Sequence, residues 1–140
     1  MDEERVHRVR AVFREAPFVA DLGIEPVLVE AGRCHTVLVV APRLLQHTGL
    51  VHAGVVTTLA DHTAGASAQT LVEGEGFVVT AELKVSLLRP AQGERLVCRA
   101  HVIKPGRQLM FTEAEVYAVR DGREQLVAKL SATMALVRPR

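Results

Sequence analysis

The chain has 140 residues, of which 49% are hydrophobic and 24% are charged, and its formal net charge is +1. This length and hydrophobic content suffice for a core that needs no metal or disulfide, so we expect a single domain over residues 1–140. The near-neutral charge gives no basic excess of the kind that attracts nucleic acid or an anionic membrane, so neither is expected as a partner.

The N-terminus and the two cysteines bear on the cellular compartment. The first ten residues, MDEERVHRVR, lack the apolar core of a signal peptide. Asp61 and His62 interrupt the only long apolar run, so no membrane span is expected. Cys34 and Cys98 stand far apart without metal-binding spacing, which favours buried, reduced thiols. We therefore expect a cytoplasmic protein.

The N-terminal part of the chain is predicted to hold one helix and two strands. A short amphipathic helix is expected over residues 2–16, with acidic residues in its first turn and an end at Pro17. The strands are expected at residues 23–30 and 33–41. Pro26 lies in the first of them, which places that strand at an edge of the sheet because proline has no N–H to donate to a neighbour.

A nearly uncharged run covers residues 46–72, QHTGLVHAGVVTTLADHTAGASAQTLV. A helix from Ala53 to Val72 would be apolar on most of its circumference, so we expect it to be buried at the centre of the fold. One acid, Asp61, lies in this helix, and a buried carboxylate is costly unless it is paired or hydrogen-bonded. Asp61 is therefore the first functional candidate. The alternative is that Asp61 caps a shorter helix that begins after Ala60.

Beyond this helix the hydrophobic period changes from 3.6 to 2, which predicts strands. Four are expected, around residues 79–87, 96–102, 108–120 and 125–137. Short turns such as Asp121-Gly122 should join them into an antiparallel meander whose apolar face curls around the helix. In the first of these strands Thr80 is expected on the polar face, opposite Val79 and Leu83.

The start of the predicted central helix is a candidate binding site for a developing oxyanion. The first N–H groups of a helix have no partners within it, and the helix dipole is positive there. Gly49, Ala53 and Gly54 are small, which allows a ligand carbonyl to approach the backbone closely. The alternative is that these small residues only permit tight packing at the helix start.

The spacing of the two candidate groups predicts a shared site. Ala53 and Asp61 are eight positions apart, so their backbones are separated by about 12 Å along a helix. This is too far for both to contact one carbonyl carbon and the water that attacks it. If both act, they act from different chains, which predicts a site at a symmetric dimer interface.

Four stretches of the chain resemble the hotdog-fold acyl-CoA thioesterases of the phenylacetate-degradation type. They are Gln46-x2-Gly49-x2-His52-Ala53-Gly54, Leu59-Ala60-Asp61-x3-Gly65, residues 83–91 (LKVSLLRPA) and residues 104–108 (KPGRQ). The resemblance implies an α+β hotdog fold, with an antiparallel curved sheet of about six strands around one long central helix. It also implies hydrolysis of acyl-CoA to free acid and coenzyme A without a cofactor, in a dimer that pairs further into a tetramer.

The resemblance implies roles for the individual positions of this chain. Asp61 matches the general base or nucleophile, and the Ala53 backbone N–H matches the group that polarises the thioester carbonyl. Gln46 matches a side chain, commonly Asn, that assists near that carbonyl. His52 and Gly54 complete a His-Gly-Gly signature in which Ala53 replaces the first Gly.

The remaining matched positions concern the attacking water and coenzyme A. Thr80 matches a hydroxyl residue that positions the attacking water. Five further residues match the segments that hold coenzyme A, with the basic ones as candidate phosphate contacts: Arg89, Pro90, Lys104, Gly106 and Arg107.

The sequence leaves three alternatives to metal-free hydrolysis. His47, His52 and His62 lie in one stretch and could suggest a metal site. His52 and Asp61 cannot meet within one helix, however, and no third ligand stands at a suitable spacing, so no metal is expected. A His–Asp pair across a dimer would suit a hydroxyacyl-thioester dehydratase or hydratase of the same fold. A non-catalytic acyl-CoA-binding protein is the third alternative, which tight binding without release of a free thiol would support.

Overall fold

A computed structural model of the protein describes residues 1–140 and consists of a six-stranded antiparallel sheet around one long helix. The elements in chain order are α1 (Glu3–Glu15), α2 (Pro17–Leu22), β1 (Glu25–Glu30), β2 (Arg33–Val39), a 3-10 turn (Pro42–Leu44), α3 (Ala53–Gln69), β3 (Phe77–Leu87), β4 (Arg95–Lys104), β5 (Leu109–Arg120) and β6 (Arg123–Val137). The strand order in the sheet is β1-β2-β4-β5-β6-β3. The predicted hotdog architecture is confirmed.

Helix α3 is the core of the fold because small and apolar residues cover most of its surface. It packs on β2 to β6, and Leu59, Ala60, Ala64 and Ala68 have no exposed surface. The helix is three residues shorter than predicted and ends at Gln69. Asp61 lies in its middle, so the alternative in which this acid caps a shorter helix is wrong.

The N-terminal segment contains one helix more than expected. Asp2 caps α1 as an acceptor for the Arg5 backbone N–H at 2.8 Å, and Phe13 of α1 is buried. Pro17 ends α1, as predicted, but it also starts the short helix α2, because proline is tolerated at the first helical position. None of the three α-helices combines the length and the hydropathy that a membrane span requires.

The path of the chain differs from a meander at β3. Strands β4, β5 and β6 are sequential neighbours, and Asp121 and Gly122 turn between β5 and β6 with φ of 51° and 75°, as the sequence indicates. β3, however, pairs with β6 rather than with β4, and β4 pairs with β2. The link over residues 88–94 is too long for a tight hairpin, and its first N–H groups bond to Val127 of β6. The chain therefore crosses the end of the sheet before β4 begins.

The expected orientation of β3 is wrong before a register shift in the strand and correct after it. Val79 is 43% exposed and Thr80 points at α3, whereas Val85, beyond the shift, pairs with buried Leu130 and packs on the core. The pairing with β6 shifts register between Thr80 and Glu82, which breaks the alternation of faces, and β3 is an edge strand with no neighbour on its outer side. Four apolar side chains of this strand, Phe77, Val79, Leu83 and Leu87, are left largely exposed within one chain.

Both cysteines are buried, as predicted. Burial raises the pKa of the Cys34 and Cys98 thiols to about 12, so both thiols stay protonated near neutral pH. The thiolate is the nucleophilic form of cysteine, so the two thiols do not serve as nucleophiles in the native interior.

Candidate functional site

The candidate residues divide between two cavities on the chain. We call the first the acid cavity: its volume is about 260 Å³ and it holds Asp61, Thr80 and His62. We call the second the helix-start cavity: its volume is about 330 Å³ and it holds Gln46, Ala53, Arg89 and Pro90. No residue lines both cavities.

In the acid cavity, Asp61 is held by a hydroxyl group from the sheet. The half-buried carboxylate comes from the middle of α3, and Thr80 Oγ1 of β3 donates a hydrogen bond to its Oδ1 at 2.6 Å. Oδ2 is in none of the hydrogen bonds or ion pairs of the chain, so it remains available to accept a hydrogen bond from a water. This geometry suits a carboxylate that removes a proton from a bound water.

His62 is a cavity residue whose position the sequence reasoning missed. Its ring packs edge to face on Phe13 of α1, with the ring centroids 4.7 Å apart, and its Nε2 is buried without a hydrogen-bond partner. Burial lowers the pKa of His62, with the nearby Asp61 charge opposing the shift, so the imidazole is neutral at pH 7. The sequence contains only its adjacency to Asp61 as an indication.

The start of α3 has the geometry expected of an oxyanion site. His52 is the N-cap, and its Nδ1 accepts a hydrogen bond from the Gly54 N–H at 2.8 Å. A Cβ on Gly54 would lie 3.0 Å from that Nδ1, so glycine allows the cap to form. The Ala53 N–H has no hydrogen-bond partner within the chain, and Ala53 is exposed in the helix-start cavity. It is available to a ligand oxygen.

Gln46 lies beside this N–H because a small loop brings it back. Leu45 and Val51 form an isolated bridge, and the Gln46 N–H donates to the Leu50 carbonyl at 2.8 Å. The half-buried Gln46 side chain makes no hydrogen bond within the chain and lines the helix-start cavity. Its amide is therefore free to bond a ligand near the Ala53 N–H.

The five candidate coenzyme contacts lie at opposite ends of the sheet. Arg89 and Pro90 follow β3 and line the helix-start cavity, where Arg89 donates to the Leu126 carbonyl at 2.8 Å. Lys104 and Arg107 are exposed at the turn between β4 and β5, at the end of the sheet near the acid cavity. Gly106 in that turn has a structural reason for its identity, because a Cβ there would collide with the Leu109 carbonyl.

The two cavities thus hold complementary halves of one reaction site. Asp61 and Thr80 are in one, and the free Ala53 N–H is in the other. The eight-residue separation along α3 corresponds to about 12 Å. A single chain brings together the base and its hydroxyl partner, or the oxyanion donor and the glutamine, but not all four groups.

Comparison with known proteins identifies relatives of this chain. Residues 48–124 match the thioesterase superfamily. A thioesterase family protein from Silicibacter pomeroyi is 38% identical and superposes with a TM-score of 0.94 over 96% of this chain and 99% of that protein. A 1,4-dihydroxy-2-naphthoyl-CoA hydrolase from Listeria monocytogenes is 29% identical over 119 residues, 85% of this chain and 94% of its own length.

A more distant structure agrees in fold. The E. coli protein from the phenylacetic acid degradation operon is 19% identical and superposes with a TM-score of 0.84 over 95% of this chain and 93% of that protein. At this identity the likeness concerns the fold alone. It matches the sheet and central helix described above.

Proposed function

The chain belongs to the thioesterase superfamily and is a thioester hydrolase with a hotdog fold, and from this membership we propose that it hydrolyses acyl-CoA thioesters to a free acid and coenzyme A. The observation that carries the proposal is the bond from Thr80 to Asp61 at the wall of a cavity. The Listeria monocytogenes relative, a naphthoyl-CoA hydrolase by name, supports coenzyme A as the thiol.

In the proposed reaction, Asp61 acts as the general base. Its carboxylate takes a proton from a water while the water oxygen forms a bond to the thioester carbonyl carbon. The carbonyl oxygen becomes negatively charged, and the Ala53 N–H of a second subunit donates to it. When the oxyanion collapses, the C–S bond breaks and the coenzyme A thiolate leaves. This thiolate takes a proton from the protonated carboxyl group of Asp61. Thr80 holds the carboxylate in place throughout.

The free edge of β3 supports a dimer that completes this site. β3 has eleven residues, one neighbour in the sheet, and the exposed apolar side chains of Phe77, Val79, Leu83 and Leu87. A long apolar edge strand is a template for pairing with another chain. The other edge strand, β1, is shorter and contains Pro26 and a register shift, which disfavour such pairing.

A twofold axis beside β3 would bring unlike cavities of two subunits together. If the two β3 strands pair antiparallel across this axis, the Phe77 end of one strand lies beside the Leu87 end of the other, so the acid cavity of each chain faces the helix-start cavity of its partner. The same pairing would place Arg89 of one subunit near Lys104 and Arg107 of the other. These three cations would then surround the phosphates of a single coenzyme A.

The test is a thiol-release assay on acyl-CoAs with short, medium, long and aromatic acyl groups, run on the wild type, Asp61→Asn and Asp61→Ala. We expect free coenzyme A from the wild type and a loss of kcat of at least about 100-fold in both variants, with thermal unfolding little changed. Undiminished hydrolysis in both variants would remove Asp61 from the mechanism. An enoyl product from a 3-hydroxyacyl-CoA would instead favour a dehydratase, and tight binding of acyl-CoA without thiol release would favour a binding protein.

A further inference from the structure

Helix α1 forms one wall of the acid cavity, although it contributes nothing to the chemistry proposed above. Val9 and Val12 of α1 line the cavity opposite Phe77 and Val78 of β3. The two valines are one helical turn apart and therefore share a face of α1. The contact between Phe13 and His62 fixes the position of that face against α3.

The cavity beyond Asp61 and Thr80 is apolar in effect. Gln69 lines it, but its amide is committed: Nε2 donates to the Gly76 carbonyl at 3.2 Å, and Oε1 accepts from the Val78 N–H at 3.1 Å. Neutral His62 packs its ring on Phe13, and its unpartnered Nε2 is itself buried, so this nitrogen exposes no polar surface. An occupant of this space is therefore bound mainly through the apolar surface that it buries.

The volume bounds the size of that occupant. A closed cavity of ~150 Å³ holds benzene, with six carbons, so the 260 Å³ of the acid cavity, which is partly open to solvent, has room for about ten carbons at the same density. A longer linear group would have to leave the cavity past α1. On the α1 side Val12 is the residue at that boundary, because it lines the cavity and is 39% exposed, whereas Val9 beside it is buried. Phe77 of β3, which is 56% exposed, lies at the boundary on the opposite side.

We propose that the acid cavity takes the acyl group of the substrate, that this group has up to about ten carbons, as a medium chain or one substituted ring, and that Val12 of α1 sets this limit. The proposal rests on the hydrolysis proposed above, since it is the thioester carbonyl at Asp61 that directs the acyl group into the cavity. It assigns α1 the role of a specificity wall.

The first test is kcat/KM across linear acyl-CoAs from C2 to C16 for the wild type, Val12→Phe and Val12→Ala. Added bulk at Val12 should lower kcat/KM for C8 and C10 by at least about 10-fold and leave C2 within about 2-fold, because one methylene in an apolar pocket changes selectivity by about 10–200-fold. Val12→Ala should raise kcat/KM for C12 to C16. The matched control is His7→Ala on the exposed, opposite face of α1, which should reproduce the wild-type profile.

A binding measurement separates this inference from the proposed function. S-alkyl-CoA thioethers with C2, C6 and C10 chains cannot be hydrolysed, and calorimetry gives their Kd for the same variants. We expect Val12→Phe to weaken C10 binding at least about 10-fold and to leave C2 unchanged. Equal chain-length profiles for wild type, Val12→Phe and Val12→Ala would refute the proposed role of Val12, even if hydrolysis depends on Asp61. If the protein bound these thioethers with the expected chain-length profile but hydrolysed no acyl-CoA, the proposed hydrolysis alone would be refuted.

Discussion

Thr80 Oγ1 lies 2.6 Å from Asp61 Oδ1, and this hydrogen bond joins the edge strand β3 to the middle of the central helix α3 at the acid cavity. The hydroxyl also lies 3.5 Å from Met134 Sδ, which packs beside it from β6. The bond is charge-assisted and sits next to the register shift in β3. A change at Thr80 therefore acts directly on the orientation of the proposed base.

Replacement of Thr80 by valine should lower activity with little loss of fold. Valine keeps the branched shape but removes the donor, and a hydrogen bond to a charged group contributes about 1.5–3 kcal/mol. We expect kcat to fall about 10- to 100-fold, with KM within about 3-fold, in a steady-state thiol-release assay. Thr80→Ser keeps the hydroxyl and should retain at least about a third of the wild-type kcat. Equal activity of the valine and serine variants would show that the bond is unimportant for turnover.

The central helix and its acid could be predicted because their indications are local. The run of small residues before and after Asp61 predicts a buried helix, and a single carboxylate in such a run requires a partner. The separation of Ala53 and Asp61 follows from helix geometry alone, which is why the two half-sites could be predicted from the sequence.

The position of β3 could not be predicted because it depends on contacts between distant parts of the chain. Alternation in the sequence separates Thr80 from Val79, but it does not say which face turns inward or that β3 pairs with β6. The contact of His62 with Phe13 joins residues 49 positions apart, and no periodicity encodes it. Helix α2 was missed because Pro17 is equally suited to end one helix and to start another.

Ala53→Pro should remove the proposed oxyanion donor and leave α3 in place. Ala53 is the first residue of α3, a position that tolerates proline, and His52 already has the extended backbone, φ −61° and ψ 136°, that a following proline requires. We expect kcat to fall about 100- to 1,000-fold, as for loss of one oxyanion donor. Ala53→Val adds bulk and keeps the N–H, so it controls for steric effects on KM. A proline variant with wild-type kcat would exclude this N–H as the donor.

The coenzyme contacts can be tested with a truncated substrate. Acyl-pantetheine has the same thioester as acyl-CoA but lacks the phosphates and the nucleotide. If Arg89, Lys104 and Arg107 bind phosphate, each alanine variant should raise KM for acyl-CoA about 10-fold and leave KM for acyl-pantetheine unchanged. Arg33→Ala is the matched control, since Arg33 is an exposed arginine whose only ion pair is with Glu30 at the surface. Equal changes with both substrates would mean that the cations act on the fold.

His62 should make the protein less stable in mild acid. Burial lowers the pKa of the folded-state imidazole below its usual 6.5, so the unfolded chain binds more protons than the folded chain once the pH falls below about 6.5. The contribution of neutral His62 to the free energy of unfolding is complete above that pH and is lost as the pH falls through the folded-state pKa. His62→Phe keeps a ring against Phe13 but does not titrate. Urea unfolding at pH 7.5 and 5.5 should show a larger loss of free energy of unfolding for wild type than for His62→Phe; parallel losses would contradict it.

Complementation between two inactive variants tests the shared site. Asp61→Asn removes the base and Ala53→Pro removes the oxyanion donor, so each homodimer should be inactive. If a site takes Asp61 from one chain and the Ala53 N–H from the other, a mixed dimer has one intact site and one doubly defective site. Random mixing makes about half of the dimers mixed, so unfolding and refolding the two variants together should restore about a quarter of the wild-type activity. If both groups served one site within a single chain, every chain in the mixture would carry a defect and no activity would return. Each variant refolded alone is the control, and size-exclusion chromatography with light scattering checks that all three samples have the same mass.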